Sequence, residues 1–220
     1  DSIKYVNAKI KRASAIGIRA EIFRLPLDAP ESAVLDMVAK LNSDASWNGI
    51  IVQLPLPGSM DARKIVRSVS PCKDVDGLNP ASDFIPATTR GIEKLLEHYL
   101  YGENFDLAGK SAVVIGRSDL VGLPTAKILL RHNATVTVCH SKTPDLAKYT
   151  RGADILVSAA GRNNLIKPDM IKPGVVLIDV GTNGDIDPAC HKIAAAYTPV
   201  PGGVGPMTII SLLENLVKSD

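Results

Sequence analysis

The sequence lacks the features that mark membrane, nucleic-acid-binding and metal-binding proteins. It has no apolar run near the roughly 20 residues that a membrane-spanning helix needs. Its formal net charge is only +2, too small for a long-range field that attracts nucleic acid or a lipid surface. Its three cysteines, Cys72, Cys139 and Cys190, are odd in number and lack metal-ligand spacing. We therefore predict reduced thiols, no metal site and an ordinary globular protein.

The start of the chain also lacks two features. Asp1-Ser2-Ile3 has neither an initiator methionine nor a signal-peptide pattern. We therefore expect that the natural N-terminus, with any targeting segment, is missing from this sequence. The cysteine usage predicts a cytoplasmic location, and an organellar one stays open.

The first part of the chain alternates helical and strand-like patterns. An apolar stripe from Ile3 to Ala13 predicts a helix over 2–16 that Gly17 ends. The alternating segment "RAEIFRL" and the continuously apolar run "NGIIVQLPLP" predict two strands. Two further helices are predicted over "APESAVLDMVAKLN", which Pro30 opens, and "DARKIVRSV".

After "KDVDGLNPASDFIPATT" the alternation becomes more regular. Strands are predicted over "SAVVIG", "ATVTVCHS", "ADILVSAAG" and "GVVLIDVG", and helices over "RGIEKLLEHYL", "LPTAKILLRHN" and "PDLAKYTRG". This alternation predicts a doubly wound parallel sheet. A last helix over 207–218 follows the sheet, and we predict that it returns to the first domain. The fold class is therefore α/β with two α/β domains: residues 1–87 with 206–220, and a Rossmann-like domain over 88–205.

The segment "VVIGRSDLVGLPTAKILL" stands where a dinucleotide-binding turn is expected. A strand leads into Gly116, and a helix follows from about Gly122. Backbone N–H groups at such a helix start can hold a phosphate. The pattern is G-x-S-x-x-x-G, with Ser118 in place of the second glycine of the usual fingerprint. The alternative is a tight strand-to-helix turn whose second glycine only allows close packing of the helix.

The next strand favours NADP over NAD as the cofactor. NAD-binding proteins usually carry an acidic residue about 20 residues after the glycines, bonded to the ribose 2′-hydroxyl. Here the strand ends in "VTVCHSKT" without a carboxylate. Arg117 can instead meet a 2′-phosphate with paired charge-assisted hydrogen bonds. His140, Ser141 and Lys142 offer further donors, although they could equally be a solvated strand end.

Three features in the first part suggest chemistry. Tyr5 and Lys9 stand four apart on one helix face, a spacing that is also common in surface contacts. Gln53 ends a buried apolar run, where an amide needs hydrogen-bond partners. The segment "KDVDG" carries Asp74 and Asp76, which point to opposite sides if the chain is extended, so we expect only one to face a binding crevice.

Taken together, the segments resemble one enzyme family. "YVNAK", "GIIVQLPLP", "KDVDGLNP", "GRSDLVGLP", "ATVTVCHSKT", "IDVGTN" and "TPVPGGVGPMT" occur in this order. They resemble the bifunctional methylenetetrahydrofolate dehydrogenase/methenyltetrahydrofolate cyclohydrolase family, nearly end to end. The resemblance implies one-carbon metabolism, which supplies purine biosynthesis. It implies that 5,10-methylenetetrahydrofolate passes a hydride to NADP and that the methenyl product is hydrolysed to 10-formyltetrahydrofolate in the same cleft.

The resemblance also implies roles for individual residues. Lys9 is expected to handle protons, Gln53 to orient it, Tyr5 to stack on the folate and Asp76 to hold the pterin amino edge. Further folate contacts are implied for Val52, Leu54, Pro201, Gly202, Gly203 and Gly205. Cofactor contacts are implied for Gly116, Arg117, Ser118, Ser141 and Thr182, the last through its backbone. A homodimer, typical of the family, is implied as well.

The physical chemistry agrees with these roles. Free lysine titrates near 10.4, so action as a base near pH 7 needs a pKa lowered by about three units. Burial lowers the pKa of an amine, and a glutamine can orient the amine without stabilising its charge. In the segment "TPVPGGVGPMT", Gly202, Gly203 and Gly205 would let bare backbone approach two flat rings. The prolines would fix that loop before binding.

Several positions depart from the family pattern. The family has a further segment before the match to "YV", including a strand and an edge helix. The connections after "DGLNP" and around "GDIDPACHKIAAAY" are short. The chain is therefore either a compact or truncated relative or a sequence from which segments have been left out. Pro86-Ala87-Thr88-Thr89 replaces the usual "PCTP", and Thr182 replaces an isoleucine, which we expect to place a hydroxyl in an apolar spot.

Two alternatives to the bifunctional enzyme stay open at this point. One is a monofunctional dehydrogenase. The other is a non-catalytic folate- or NADP-binding paralogue. A short-chain dehydrogenase is disfavoured, because its Tyr–Lys pair follows the dinucleotide turn in the chain, whereas Tyr5 and Lys9 precede it.

Overall fold

We describe the protein from a computed structural model, which describes residues 2–98, 102 and 105–218. The chain divides into two compact units. The first contains residues 1–87 and 209–220, and the second contains residues 88–208. None of the helices within the described ranges is both long enough and apolar enough to cross a membrane.

The first unit is built from helices at the predicted places. They are α1 (Ser2–Ala15), α2 (Glu31–Ser43), α3 (Ala62–Ser68) and a 3₁₀ turn at Pro71–Lys73. Helix α1 ends where Gly17 N donates to Ser14 O (3.1 Å) and Ile18 N to Ala13 O (3.0 Å), the bond pair of a Schellman motif. Asp61 caps α3 by accepting from the backbone N–H groups of its first turn.

The two strands predicted in the first unit are wrong. Residues 18–26 and 49–53 form no regular secondary structure, and the described residues of this unit contain no strand. A strand requires a ladder of backbone bonds to a second strand, whereas Ile50 N donates to Lys73 O (2.7 Å) at the end of the 3₁₀ turn. The uninterrupted apolar run around Ile50 therefore indicated burial, but it did not indicate a second strand to pair with.

The second unit contains a parallel sheet, as predicted, and the sheet has five strands. Its strands are β1 (Ser111–Ile115), β2 (Thr135–Cys139), β3 (Ile155–Ser158), β4 (Val176–Asp179) and a short β5 (Ala196–Tyr197), in the order β2-β1-β3-β4-β5. Its helices are α4 (Ala87–Leu96, of which Ala87 belongs to the first unit), α5 (Gly122–Arg131) and α6 (Ala147–Thr150). Strand β5 was not predicted, and Tyr99 and Leu100 of the predicted fourth helix lie outside the described residues.

Alternate residues of the strands pack into two separate cores. Val114 and Val157 face a cluster that includes Leu96 of α4 and Leu129 of α5. Their neighbours along the strands face a second cluster with apolar residues of the later connections. Side chains on a strand alternate between the faces, so both faces of this sheet are covered, which is typical of parallel sheets.

The last helix, α7 (Val204–Lys218), starts three residues before the predicted Met207. Its residues from Ile209 onward belong to the first unit. There Leu212 packs with Val75 and Ala87, and Asn215 Nδ2 donates to Val75 O at 3.0 Å. The chain therefore completes the first unit with its final helix.

Candidate functional site

The first unit brings an amine and an amide together from distant parts of the chain. Lys9 lies on α1, and its Nζ donates to Oε1 of Gln53 at 3.2 Å. The other end of the same amide is fixed, because Gln53 Nε2 donates to Leu54 O at 2.7 Å. The glutamine therefore presents its oxygen, not its N–H groups, to the lysine.

Tyr5 and Lys9 also meet, as their spacing predicts. The Lys9 Nζ atom lies 4.9 Å from the centre of the Tyr5 ring, within the range of a cation–π contact. Both side chains are half-buried, so the ring forms one wall beside the amine.

The surroundings of the amine change its acid–base behaviour. Burial lowers the pKa of Lys9 from its usual value, and the charge of Asp76 partly opposes that shift. Burial likewise raises the pKa of Asp76, and the charge of Lys9 opposes it. An amine with a lowered pKa exists more readily in the neutral form that can accept a proton.

The two carboxylates of "KDVDG" have different environments. Asp74 is only 3% exposed and accepts from Asn79 N at 2.6 Å, which fixes the turn that follows. Burial raises the pKa of Asp74 to about 6. Asp76 is half-buried, and it is the carboxylate whose charge acts directly on Lys9.

An apolar groove adjoins this amine site within the first unit. It encloses about 430 Å³, and Lys9 and Gln53 contribute to its lining. The other lining residues are mostly apolar, among them Val6, Ile10, Phe23, Met37, Trp47 and Leu213. Apolar walls account for the desolvation that lowers the pKa of Lys9.

In the second unit, Gly116 forms the tight turn after β1. Its φ is +119°, and a Cβ atom there would lie 2.6 Å from Ala159 O. Only glycine combines that backbone with such a close approach. The next two residues, Arg117 and Ser118, are exposed, so a guanidinium and a hydroxyl lie at the carboxyl end of β1. This arrangement fits a dinucleotide.

The start of α5 differs from the expectation that its N–H groups are available for a phosphate. Ser118 Oγ accepts from Val121 N (3.2 Å) and Gly122 N (3.4 Å). Ser118 O accepts from Leu123 N at 3.0 Å, and the following residue is a proline. Residues of the chain itself therefore accept from the N–H groups of the first helical turn. A phosphate could accept from Val121 N and Gly122 N only if it displaced the hydroxyl of Ser118.

The other predicted cofactor residues lie at the ends of neighbouring strands. Ser141 and Lys142 are exposed after β2, and Lys142 N donates to Nδ1 of His140 at 3.2 Å. Thr182, in the connection after β4, is exposed as well. The expectation of an apolar setting for its hydroxyl concerns the contact with the nicotinamide, and it stays a prediction.

The glycine–proline segment is partly helical, not a loop throughout. Pro201, Gly202 and Gly203 form a turn, closed where Gly203 N donates to Pro199 O at 2.9 Å. Gly205 and the following proline lie in the first turn of α7, where a proline is tolerated because its missing N–H has no helical partner. The segment belongs to the second unit.

The sequence analysis did not select Asp179 and Asp185, two buried carboxylates of the second unit. Both accept several backbone N–H groups from the connections after β3 and β4. The acidic residues of "IDVGTNGDID" were the available signal, but their partners are not visible in the sequence. No group of three His, Cys, Asp or Glu residues in the described part of the chain is arranged to hold a metal.

Parallel strands with a glycine turn after β1 place the second unit in the class of nucleotide-binding α/β proteins. The comparisons agree. Residues 86–220 match the NAD(P)-binding domain of the tetrahydrofolate dehydrogenase/cyclohydrolase family, and residues 1–76 match its catalytic domain. The chain belongs to this family.

Similar proteins agree over nearly the whole chain. The bifunctional protein FolD of Thermus thermophilus is 43% identical, over 99% of this chain and 82% of its own length. The structure of the bifunctional FolD enzyme from Campylobacter jejuni has a TM-score of 0.92 and 44% identity, covering 99% of this chain and 83% of that one. A Trypanosoma brucei relative, solved with NADP and an inhibitor, has a TM-score of 0.89 and 37% identity, covering 100% and 82%.

Proposed function

We propose that this protein is a bifunctional enzyme of one-carbon folate metabolism. It oxidises 5,10-methylenetetrahydrofolate to the methenyl cation and hydrolyses that cation to 10-formyltetrahydrofolate. The observation that carries the proposal is the hydrogen bond from Lys9 Nζ to Gln53 Oε1, made by an amine whose pKa is lowered by burial.

Lys9 is proposed to move the protons of the hydrolytic step. In its neutral form the amine accepts a proton as water adds to the methenyl carbon, and it can return that proton as the ring opens. Gln53 keeps Nζ in place through a neutral oxygen, which adds less stabilisation to the ammonium than a carboxylate would. A cationic substrate beside the amine lowers its pKa further.

Tyr5 and Asp76 are proposed to bind the folate. The Tyr5 ring can stack on a flat pterin while its contact with Lys9 places the amine at the ring edge. The Asp76 carboxylate can accept two parallel N–H bonds from an amino-pyrimidinone. Val52 and Leu54 flank Gln53 in the chain and would contribute contacts beside it. Folate contacts are also proposed for Pro201, Gly202, Gly203 and Gly205.

NADP is the proposed cofactor, and when bound it supplies the hydride acceptor of the oxidation. Arg117 would pair with the 2′-phosphate, because its guanidinium is exposed beside the Gly116 turn. Ser118 and Ser141 offer hydroxyls after the paired strands β1 and β2, and Thr182 would contribute through its backbone. The absence of a carboxylate at the end of β2 avoids repulsion of that phosphate.

The lysine variant Lys9→Ala tests the proposal. We expect hydrolysis of added methenyl substrate to fall by about 10²–10⁴-fold, the contribution typical of a general acid–base group. Its circular dichroism spectrum should match that of the wild type. Lys11→Ala is the matched control, since Lys11 is exposed on the same helix. Unchanged hydrolysis in Lys9→Ala would reject the proposed role.

Wild-type turnover separates the proposal from its alternatives. Oxidation of methylene substrate with NADP, together with hydrolysis of methenyl substrate above the buffer rate, supports the bifunctional enzyme. Oxidation without accelerated hydrolysis indicates a monofunctional dehydrogenase. Calorimetric binding of folate or NADP without any turnover indicates a non-catalytic paralogue. The homodimer and the cellular compartment stay predictions, and light scattering of the purified protein tests the first.

A further inference from the structure

Asp185 gathers four hydrogen-bond donors although it is only 1% exposed. It lies in the connection after β4, yet its carboxylate reaches the segment that follows β3. The donors to Oδ2 are Ser158 Oγ (2.8 Å), Ala160 N (2.8 Å) and Gly161 N (3.1 Å), and the donor to Oδ1 is Arg162 N (2.8 Å). One side chain therefore fixes three consecutive backbone amides of another connection.

The donor set selects a charged acceptor. A backbone N–H cannot reverse its polarity, so the atoms facing Ala160, Gly161 and Arg162 must all accept. An ionised carboxylate accepts at both oxygens, and bonds to an ionised acceptor are stronger than neutral ones. An asparagine would turn an NH₂ group toward at least one of these amides, which leaves a buried donor without a partner.

A second buried carboxylate fixes the connection that carries Asp185. Asp179, at the end of β4, accepts from Gly181 N at 2.9 Å, Asp185 N at 3.1 Å and Ile186 N at 2.9 Å. Burial raises the pKa of Asp179, and the charge of Asp185 adds to that shift. Gly181 packs so tightly here that a Cβ atom would collide with Asp185 Oδ1.

These bonds connect to the turn proposed to hold the dinucleotide. The residue just before the three amides, Ala159, donates from its N to Ile115 O at 2.8 Å. Its carbonyl oxygen lies 2.6 Å from the Cβ position of Gly116. The connection after β4 contains Thr182 between the two carboxylates. The ends of β1, β3 and β4 are therefore linked by hydrogen bonds: Asp185 accepts from the segment after β3 and donates its own N–H to Asp179, and Ala159 N joins that segment to β1.

We infer that Asp185 is a positioning residue for dinucleotide binding: its carboxylate holds the connections after β3 and β4 in the arrangement that the cofactor contacts. The inference rests on the proposed function, since it takes the carboxyl ends of these strands as the cofactor site. It adds a residue that touches neither substrate nor cofactor. A merely structural role would lower stability and leave the affinity of the folded protein for NADP unchanged.

The variant Asp185→Asn in the full chain tests this role. We expect the Kd for NADP, measured by calorimetry, to rise about tenfold or more, as expected for a lost charge-assisted bond and an orphaned amide. Hydrolysis of methenyl substrate, which consumes no dinucleotide, should stay within about twofold of the wild type per folded molecule. Asp187→Asn is the matched control. Asp187 also accepts a backbone N–H, from Ala189 at 2.9 Å, but its other bond is to the surface residue Lys167.

Each outcome decides the question. A folded Asp185→Asn protein with wild-type affinity for NADP would overturn the positioning role. If that variant does not fold, Ser158→Ala removes one donor while it leaves the carboxylate in place. A rise of about two- to fivefold in its Kd would support the role, and an unchanged Kd would overturn it. Wild-type protein that neither binds NADP nor turns over folate would overturn the proposed function as well.

Discussion

Asp76 in the first unit and Asp185 in the second are both withdrawn from water, but their partners differ. The charge of Asp76 acts on the Lys9 amine, itself a titratable side chain. Asp185 accepts three backbone amides and a hydroxyl, none of which titrates near neutral pH. A carboxylate beside an amine changes the pKa of that amine. A carboxylate that accepts from backbone amides instead fixes the geometry of loops.

The two aspartates show that the same residue type can affect acid–base chemistry in one unit and hold loops in place in the other. Burial raises the pKa of the Asp76 carboxyl group, and the nearby charge of Lys9 opposes that effect. At Lys9 the balance leaves an amine with a lowered pKa beside the neutral oxygen of Gln53. Changing the partners should therefore change function in the first unit and loop positions in the second.

Among the variants that change the partners of these groups, the largest effect is expected when the neutral partner of Lys9 becomes charged. In Gln53→Glu a carboxylate would lie beside Nζ and raise the pKa of Lys9, by about 1–3 units for a close opposite charge. The neutral amine would then be about 10- to 1,000-fold scarcer near pH 7. We expect the rising limb of the pH–rate profile for hydrolysis to move to higher pH, measured by the loss of methenyl absorbance.

Gln53→Met is the matched variant for that experiment. It removes the hydrogen bond without adding charge, so hydrolysis should slow while the rising limb stays near or below its wild-type position. If Gln53→Glu has the same pH profile as the wild type, the charge beside the amine is irrelevant. The proposed difference in function between the carboxylates of Asp76 and Asp185 would then be contradicted.

A smaller effect is expected at the exposed guanidinium of the second unit. Arg117→Ala should weaken NADP binding by about 1.5–3 kcal/mol, or roughly ten- to 150-fold in Kd, and leave the weaker binding of NAD nearly unchanged. Titration calorimetry with both dinucleotides measures this difference. Arg131→Ala, an exposed arginine on α5, serves as the control. Equal losses for both dinucleotides would show that Arg117 does not contact the 2′-phosphate.

The smallest effect concerns stability at Asp74. Its pKa is about 6 in the folded protein against 3.8 ordinarily, so the folded state holds a proton more tightly and loses stability as pH rises from about 4 to 6. Asp74→Asn keeps an oxygen for Asn79 N and removes this loss. We expect the variant to be more stable above pH 6, by about 1–3 kcal/mol, and to match the wild type near pH 4.

Urea unfolding at several pH values measures that difference. Asp83→Asn, at an exposed carboxylate in the same loop region, is the control for the removal of one carboxylate. A constant difference between Asp74→Asn and the wild type across this range would contradict the raised pKa.

Local patterns in the sequence predicted much of the fold. The helices of the first unit and the first four strands of the sheet lie where periodicity and caps indicated them. The two strands predicted in the first unit failed because strand pairing is a relation between segments, which an apolar run such as that around Ile50 cannot specify alone. Gly205 was predicted to lie in a loop, because the glycine content of the segment was given more weight than the helical pattern that follows it.

The candidate site was predictable to a different degree. Tyr5 and Lys9 lie four apart on one helix, so their contact follows from helix geometry. The bond between Lys9 and Gln53 joins residues 44 apart, and the resemblance to a family, not the spacing, suggested it. Asp185 was missed because its donors lie 23 to 27 positions earlier, and three of them are backbone amides that every sequence contains.

The sequence by itself determined the periodic elements, the parallel sheet and membership of the folate dehydrogenase/cyclohydrolase family, because these depend on residue order and local backbone preference. Only the tertiary structure decided the acid–base properties of Lys9 and Asp76 and the bonded group around Asp185. Desolvation and charge–charge interactions depend on which distant segments surround a group. The sequence therefore determines which residue types are present, and the fold determines their pKa shifts and their hydrogen bonds.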